Sequence, residues 1–152
     1  MKTLKLLILI AAISLSGCQN QKQTPVSENT PSAEIKDGVF IHITNGYNNP
    51  HRVLMPLKMA TIMAEDKDVL VYMDIDAVNL LVKDAKDLEF NGFESAQTYL
   101  KKLIELNVGI YACPTCLQIA GHNPEDLMDG IQIAQKDKFF SFTKGRIEAL
   151  DY

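Results

Sequence analysis

Residues 37–152 contain five short apolar and β-branched runs, separated by polar or helix-patterned segments. Each run has the length and composition of a β-strand. The predicted strands are Val39–Thr44, Val69–Met73, Val108–Ala112, Ile131–Ala134 and Ile147–Asp151. The second run is apolar throughout, which is typical of a parallel strand that is covered on both faces.

Helical patterns occupy the segments between these strands. Asn49-Pro50 predicts the start of a helix that runs to about Ala64, and Pro56 is expected to kink or divide it. Apolar residues at helical spacing predict another helix over residues 94–106. Shorter helical segments are expected at 76–82 (capped by Asp76), at 114–120, from Asn123 onward, and around Phe139, Phe140 and Phe142.

Strands that alternate with helices predict βαβ units. We therefore expect a single three-layer α/β domain at residues 37–152, with a five-stranded, mainly parallel sheet and helices on both faces. Residues 19–36 have no aromatic residue and are rich in Gln, Asn, Ser, Thr and Pro. That composition predicts a flexible tether over residues 18–36.

The N-terminus has the pattern of a lipoprotein signal peptide. Lys2 and Lys5 precede an apolar run that is short for a membrane-spanning helix, and the run ends in Leu15-Ser16-Gly17-Cys18, which resembles a lipobox. We expect cleavage after residue 17, acylation of Cys18, and an exported, membrane-anchored bacterial lipoprotein facing the periplasm. The alternative is an ordinary secretory signal with an incidental cysteine.

Removal of the signal peptide changes the charge and the cysteine count. Residues 1–17 hold two lysines and no acid, so the net charge of −4 becomes −6, from 13 basic and 19 acidic residues. An acidic chain without a basic cluster argues against a nucleic-acid partner. Of three cysteines, Cys113 and Cys116 remain, too close in sequence to connect distant parts of a fold. In a compartment that permits disulfides, such a pair favours redox or sulfur chemistry.

The pair lies in Cys113-Pro-Thr-Cys116, between the third strand and a short helix. Open α/β sheets bind their ligands in this position. Pro114 fits the first helical turn, whose free N–H groups would favour a thiolate at Cys113. We therefore expect Cys113 to have the lower pKa of the two and to react first.

The run Gly109-Ile-Tyr-Ala-Cys-Pro-Thr-Cys-Leu117, followed by Asp126-Leu-Met-Asp-Gly130, resembles the DsrE/DsrF-like family. The Thr44-Asn45-Gly46 loop also fits, and the resemblance covers essentially residues 38–152. It implies a small α/β protein that forms homo-oligomers and carries sulfur in a relay system, although some members have a provisional peroxiredoxin-like label. The sulfur-accepting cysteine of the family corresponds to Cys113, with Cys116 as the second cysteine.

Several uses of the pair remain open at this point. Cys113 can accept sulfane sulfur as a persulfide with Cys116 as partner thiol, and the unidentified donor and acceptor are thiols or proteins. The same pair can perform thiol–disulfide exchange, or the domain can be a non-catalytic, lipid-anchored binding module. Metal binding by Cys113, Cys116 and His122 would need His42 or His51 as a fourth ligand. There is no second C-x-x-C, so we expect neither a metal nor a cofactor.

Weaker candidates surround the predicted site. Asn45 and Gly46 follow the first strand, and His51 begins the first helix, where it can bind an anion or is simply solvated. His122 follows Gly121 and is either a proton shuttle or a turn residue. His42, within the first strand, is predicted to be packed and hydrogen-bonded.

Overall fold

The computed structural model describes residues 35–152. The predicted signal peptide, the lipidated Cys18 and nearly all of the predicted tether lie outside this range. None of the helices within residues 35–152 is long and apolar enough to cross a membrane.

Five parallel strands form one sheet in the order β4-β3-β2-β1-β5. Their bounds are β1 Gly38–Ile43, β2 Asp68–Met73, β3 Gly109–Ala112, β4 Ile131–Ile133 and β5 Ile147–Asp151. The predicted fold class is confirmed, and every predicted strand is found within one residue of its expected ends. The order places β5 beside β1, so the chain crosses the whole sheet between its last two strands.

Three α-helices connect these strands: α1 Pro50–Met63, α2 Ala96–Glu105 and α3 Pro114–Ile119. Helix α1 packs on β1, β2 and α2, and α2 packs on β3. Their buried residues recur at helical spacing, for example Val53, Leu57 and Ala60 in α1. Ser95 caps α2 by accepting the Thr98 N–H, and Asn107 ends it in a left-handed conformation with φ of 59°.

Two local expectations need correction. Helix α1 runs through Pro56 without division. Pro56 lacks the N–H that would donate to the Arg52 carbonyl. Arg52 is exposed and close to the helix start, so the helix continues without this hydrogen bond. The segment after β2 is a 3-10 helix, Ile75–Leu80, and its N-cap residue is Asp74 without a side-chain cap bond. Asp76 therefore lies in the first turn and is not the cap.

The two faces of the sheet differ in their cover. The face toward α1 and α2 carries the apolar core, which includes Ile41, Ile43, Val71, Met73 and Ile110. The opposite face carries Phe40, His42, Tyr72 and Tyr111, and it is covered by the β4–β5 connection. The helical part of this cover is one 3-10 turn, Lys136–Lys138, followed by Phe139, whose ring contacts Phe40, Tyr72 and Tyr111. This connection passes over β3, β2 and β1, the three strands that separate β4 from β5.

Candidate functional site

Cys113 joins the end of β3 to the start of α3. Its N–H donates to the Met73 carbonyl at 3.0 Å, and its carbonyl accepts the Leu117 N–H at 2.9 Å. The Cys113 sulfur accepts the Cys116 N–H at 3.4 Å, so the side chain caps the helix. Pro114 occupies the first helical turn, where its missing N–H is no loss. The predicted contact between the free helical N–H groups and this sulfur is confirmed.

The two thiols have opposite pKa shifts. Burial acts to raise the pKa of Cys113, but hydrogen bonds from the Tyr72 hydroxyl, the Cys116 thiol and the N–H groups of Cys116 and Thr115 outweigh it, so the pKa is lowered. Burial raises the pKa of Cys116, and its hydrogen bond to the Cys113 sulfur raises it further. Both directions agree with the order expected from the sequence. Cys113 is therefore the better candidate for a thiolate at neutral pH.

Tyr72 approaches the Cys113 sulfur from the neighbouring strand. Tyr72 pairs with Tyr111 in the β2–β3 register, two residues before Cys113 on the same face. The Tyr72 ring stacks on His42 with centroids 5.3 Å apart and meets the edge of Phe139 at 4.9 Å. Its hydroxyl lowers the pKa of the Cys113 thiol, and Cys113 raises the pKa of Tyr72, so the two groups lie close enough to interact.

His42 lies between two carboxylates. Its Nδ1 is 2.8 Å from Asp151 Oδ1, and its Nε2 is 3.0 Å from Asp74 Oδ2. Burial opposes a charge on the ring, but the two carboxylates outweigh it and raise the pKa of His42. This confirms a packed, hydrogen-bonded histidine. Asp74 also raises the pKa values of Tyr72 and Cys116.

Ile75 supplies a backbone group to the second sulfur. Its backbone N–H lowers the pKa of Cys116 and so partly offsets the effect of burial on that thiol. Ile75 has φ of 45°, which is rare for a β-branched residue, and residues held in such conformations cluster at functional sites. Its side chain and that of Ile119 are exposed beside Cys116. A cleft of about 300 Å³ opens there, lined by Ile75, Asp76, Asn79, Cys116, Ile119 and Ala120.

The position of this cysteine pair, directly after β3 of a parallel sheet, can be compared with known proteins. The DsrE/DsrF-like family profile matches residues 37–144. The chain belongs to the DsrE/DsrF-like family. The family assignment supports a sulfur-relay-type fold. No curated protein matches the chain at a significant level.

Two solved structures share the fold of this DsrE/DsrF-like chain. The YchN protein from E. coli is 21% identical with a TM-score of 0.62, and the match covers 76% of this chain and 99% of that protein. MTH1491 from Methanobacterium thermoautotrophicum, a protein of unknown function, is 22% identical with a TM-score of 0.52. That match covers 64% of this chain and 81% of MTH1491. At these identities the similarity establishes the fold alone.

The loop after β1 packs against the start of the 3-10 helix in this DsrE/DsrF-like domain. The Asp76 N–H donates to the Thr44 carbonyl at 3.2 Å, and a side chain at Gly46 would collide with the Asp76 backbone. Asn45 donates from Nδ2 to Thr44 Oγ1 at 3.2 Å. These contacts explain Gly46 by the close approach of two backbone segments. A substrate contact of Asn45 or Gly46 stays a prediction.

The two remaining histidine candidates lie in different surroundings. His122 Nε2 is 3.0 Å from Asn79 Oδ1, in a half-buried position between α3 and the 3-10 helix. His51 stacks on Phe90 with centroids 5.7 Å apart and also contacts Phe93, in the connection before α2. Across residues 35–152, no three His, Cys, Asp or Glu side chains converge in a group that could hold a metal ion. Cys113, Cys116 and His122 therefore do not form a metal site with His42 or His51 in this part of the chain.

Sequence reasoning missed Tyr72 and the Asp74–His42–Asp151 arrangement as parts of the site. Tyr72 interrupts an otherwise aliphatic strand, and it shares the alternation of Phe40 and His42 on β1. That alternation is the signal that could have marked a polar face. The local sequence pattern does not determine which strands are neighbours or in which register they pair.

Proposed function

We propose that this protein carries sulfane sulfur as a persulfide on Cys113, with Cys116 as partner thiol. The observation that carries this proposal is the unequal polar environment of the two sulfur atoms. The Cys113 sulfur accepts backbone N–H groups and the Tyr72 hydroxyl, which lower its pKa, whereas the pKa of Cys116 is raised. A thiolate is the nucleophilic form of cysteine, so sulfur is loaded on Cys113.

Loading is a thiolate displacement. The Cys113 thiolate attacks the terminal sulfur of a persulfide donor, R–S–SH, and the donor S–S bond breaks. The products are Cys113–S–SH and the thiolate R–S⁻, so the step involves no net oxidation or reduction. No external oxidant or reductant takes part in this step.

Release follows one of two routes. An acceptor thiolate that attacks the terminal sulfur takes it away and regenerates the Cys113 thiolate. Alternatively, the Cys116 thiolate attacks the inner sulfur, which forms the Cys113–Cys116 disulfide and expels HS⁻. A thiol reductant must then return the disulfide to two thiols. The short separation of the two cysteines, with the Cys116 N–H 3.4 Å from the Cys113 sulfur, supports this second route.

Mass spectrometry after exposure to a small-molecule persulfide tests the proposal. The protein should gain about 32 Da, one sulfur atom, on Cys113. Cys113→Ser should abolish the gain, whereas Cys116→Ser should retain it and release HS⁻ more slowly. Cys113→Ser also serves as the matched control, because it keeps Cys116 as a free thiol. A gain located on Cys116, or none in the wild type, refutes the proposal.

Thiol–disulfide exchange is the second candidate, because the Cys116 N–H and thiol both contact the Cys113 sulfur. A redox protein should reduce a small-molecule disulfide with turnover and fail to keep sulfur on Cys113. A sulfur carrier should keep sulfur on Cys113 and should not reduce the disulfide with turnover. The two activities are therefore separated by one pair of assays on the same protein.

We further propose that Cys18 carries a lipid anchor, that the domain faces the periplasm, and that it forms a homo-oligomer. The lipobox and the family resemblance support these proposals. Multiple acyl chains give stable membrane attachment where one chain does not. The partners in sulfur transfer are expected to be thiols or proteins.

A further inference from the structure

We propose that Tyr72 is a catalytic residue of this site, whose hydroxyl binds the Cys113 sulfur and stabilises it as the leaving thiolate when sulfur passes to an acceptor. This inference rests on the proposed function and adds a residue to it. It concerns the second half of the reaction, in which the terminal sulfur departs and Cys113 must accept a negative charge.

The sheet register brings the two side chains together. Met73 pairs with Ala112, and the Cys113 N–H donates to the Met73 carbonyl at 3.0 Å. Tyr72 and Cys113 are therefore on adjacent strands and on the same face, offset by two residues. A long side chain spans such a diagonal. The phenol hydroxyl can thus reach a sulfur that lies beyond the end of β3.

Aromatic neighbours fix the Tyr72 ring in this orientation. His42 stacks on it at 5.3 Å with an interplanar angle of 26°, and Phe139 meets it edge-on at 4.9 Å and 86°. His42 is itself held between Asp74 and Asp151. Because contacts on several sides restrict the ring, the hydroxyl is aimed at the sulfur before any substrate arrives.

The hydroxyl acts as a permanent hydrogen-bond donor. Burial raises the pKa of Tyr72, and Cys113, Asp74 and Cys116 raise it further, so the phenol keeps its proton at neutral pH. The proton stays on Tyr72 throughout: the acceptor thiolate attacks the terminal sulfur, the S–S bond breaks, and the electron pair stays on the Cys113 sulfur. The hydrogen bond strengthens as that charge develops, because charged acceptors bind donors more strongly.

A thiol with a lower pKa leaves faster in such exchange reactions. Removal of the hydroxyl should therefore slow sulfur transfer away from Cys113 and raise the pKa of this thiol. A hydrogen bond to a charged group at this partly exposed site corresponds to a shift of about one pKa unit, or roughly tenfold less thiolate below the pKa. The loss of leaving-group stabilisation should slow transfer at neutral pH by a few-fold or more.

The test compares Tyr72→Phe with Tyr111→Phe, both in a Cys116→Ser background. Tyr111 is the register partner of Tyr72 and also contacts Phe139, but its hydroxyl lies over Gly109, at the other end of β3. Both variants lose one hydroxyl from the same face of the sheet. Only Tyr72→Phe should raise the pKa of Cys113, measured by alkylation rate against pH, and slow the transfer of sulfur from the loaded protein to dithiothreitol.

The outcomes separate this inference from the proposed function. If Tyr72→Phe loads and transfers sulfur like the Tyr111→Phe control, with the same alkylation profile, the role of Tyr72 is refuted while the carrier function stands. If the wild type takes up no sulfur, the carrier function is refuted, and with it the leaving-group role.

Should Tyr72→Phe fail to fold, 3-fluorotyrosine provides a second measurement in the otherwise unchanged protein. Its more acidic phenol donates a stronger hydrogen bond, so it should lower the pKa of Cys113. An unchanged pKa overturns the inference.

Discussion

Gly46→Ala tests how the loop after β1 supports the cysteine site. A Cβ atom at Gly46 would lie 2.8 Å from the Asp76 carbonyl oxygen and 3.1 Å from the Asp76 carbonyl carbon and Cβ. The Asp76 backbone is held on both sides, because its N–H donates to the Thr44 carbonyl and its carbonyl accepts from Asn79 Nδ2 at 3.1 Å. The added methyl group must therefore displace a backbone segment.

The expected loss of stability follows from two opposing effects. Overpacking of this kind costs about 1–3 kcal/mol. Alanine also restricts the unfolded chain, which stabilises the folded protein by about 0.4–1 kcal/mol. The free energy of unfolding should therefore fall by about 1–2 kcal/mol, a substantial part of the 5–15 kcal/mol that is typical of a domain of about this size.

The same displacement should reach the second thiol. Asp76 follows Ile75, whose backbone N–H lowers the pKa of the Cys116 thiol. If Asp76 moves, the Ile75 N–H moves with it and this effect weakens, so the pKa of Cys116 should rise and its alkylation near neutral pH should slow. The effect is measured in a Cys113→Ser background, where Cys116 is the cysteine that remains in the domain.

Gly92→Ala is the matched control for this prediction. Gly92 has φ of 88° and no atom within 4 Å of an added Cβ. The left-handed conformation should reduce stability by about 1 kcal/mol without touching the site. Equilibrium unfolding in urea and alkylation against pH are compared for the two variants. The reasoning is refuted if Gly46→Ala is as stable as the wild type, or if both variants leave Cys116 equally reactive.

Three further predictions concern the anchor, a histidine and the assembly. Cys18→Ser should move the protein from the membrane to the soluble fraction, and retention on the membrane after a carbonate wash would exclude a lipid anchor. The raised pKa of His42 means that its carboxylate contacts stabilise the fold below about pH 6.5 and lose this effect as the pH rises through the folded-state pKa. His42→Gln should therefore lose more stability in urea unfolding at about pH 6 than at about pH 9, and a loss independent of pH would contradict the assignment. Light scattering at micromolar concentration should give a homo-oligomer mass, and a monomer mass would reject self-association.

The strands, the main helices and the cysteine pair can be recognised in the amino-acid sequence alone. Short β-branched runs can bury their side chains only as strands, and the helical segments between them force parallel connections. The Cys113-Pro-Thr-Cys116 segment has a local conformational preference, because Pro114 favours the first turn of a helix. The neighbouring N–H groups of that turn remain free to contact a sulfur atom. These are local effects, so they can be recognised along the chain.

The side chains that surround the Cys113 sulfur are brought together by the folded arrangement of the strands. The contact between His42 and Asp151 joins residues 109 positions apart, and it exists because the chain crosses the sheet to lay β5 beside β1. Tyr72 reaches Cys113 only because β2 and β3 pair in one particular register, since a one-residue slip would turn the phenol to the other face. The left-handed Ile75 is likewise set by packing, because its local sequence favours a different conformation. Strand order and register are collective properties of the folded chain, and local patterns do not encode them.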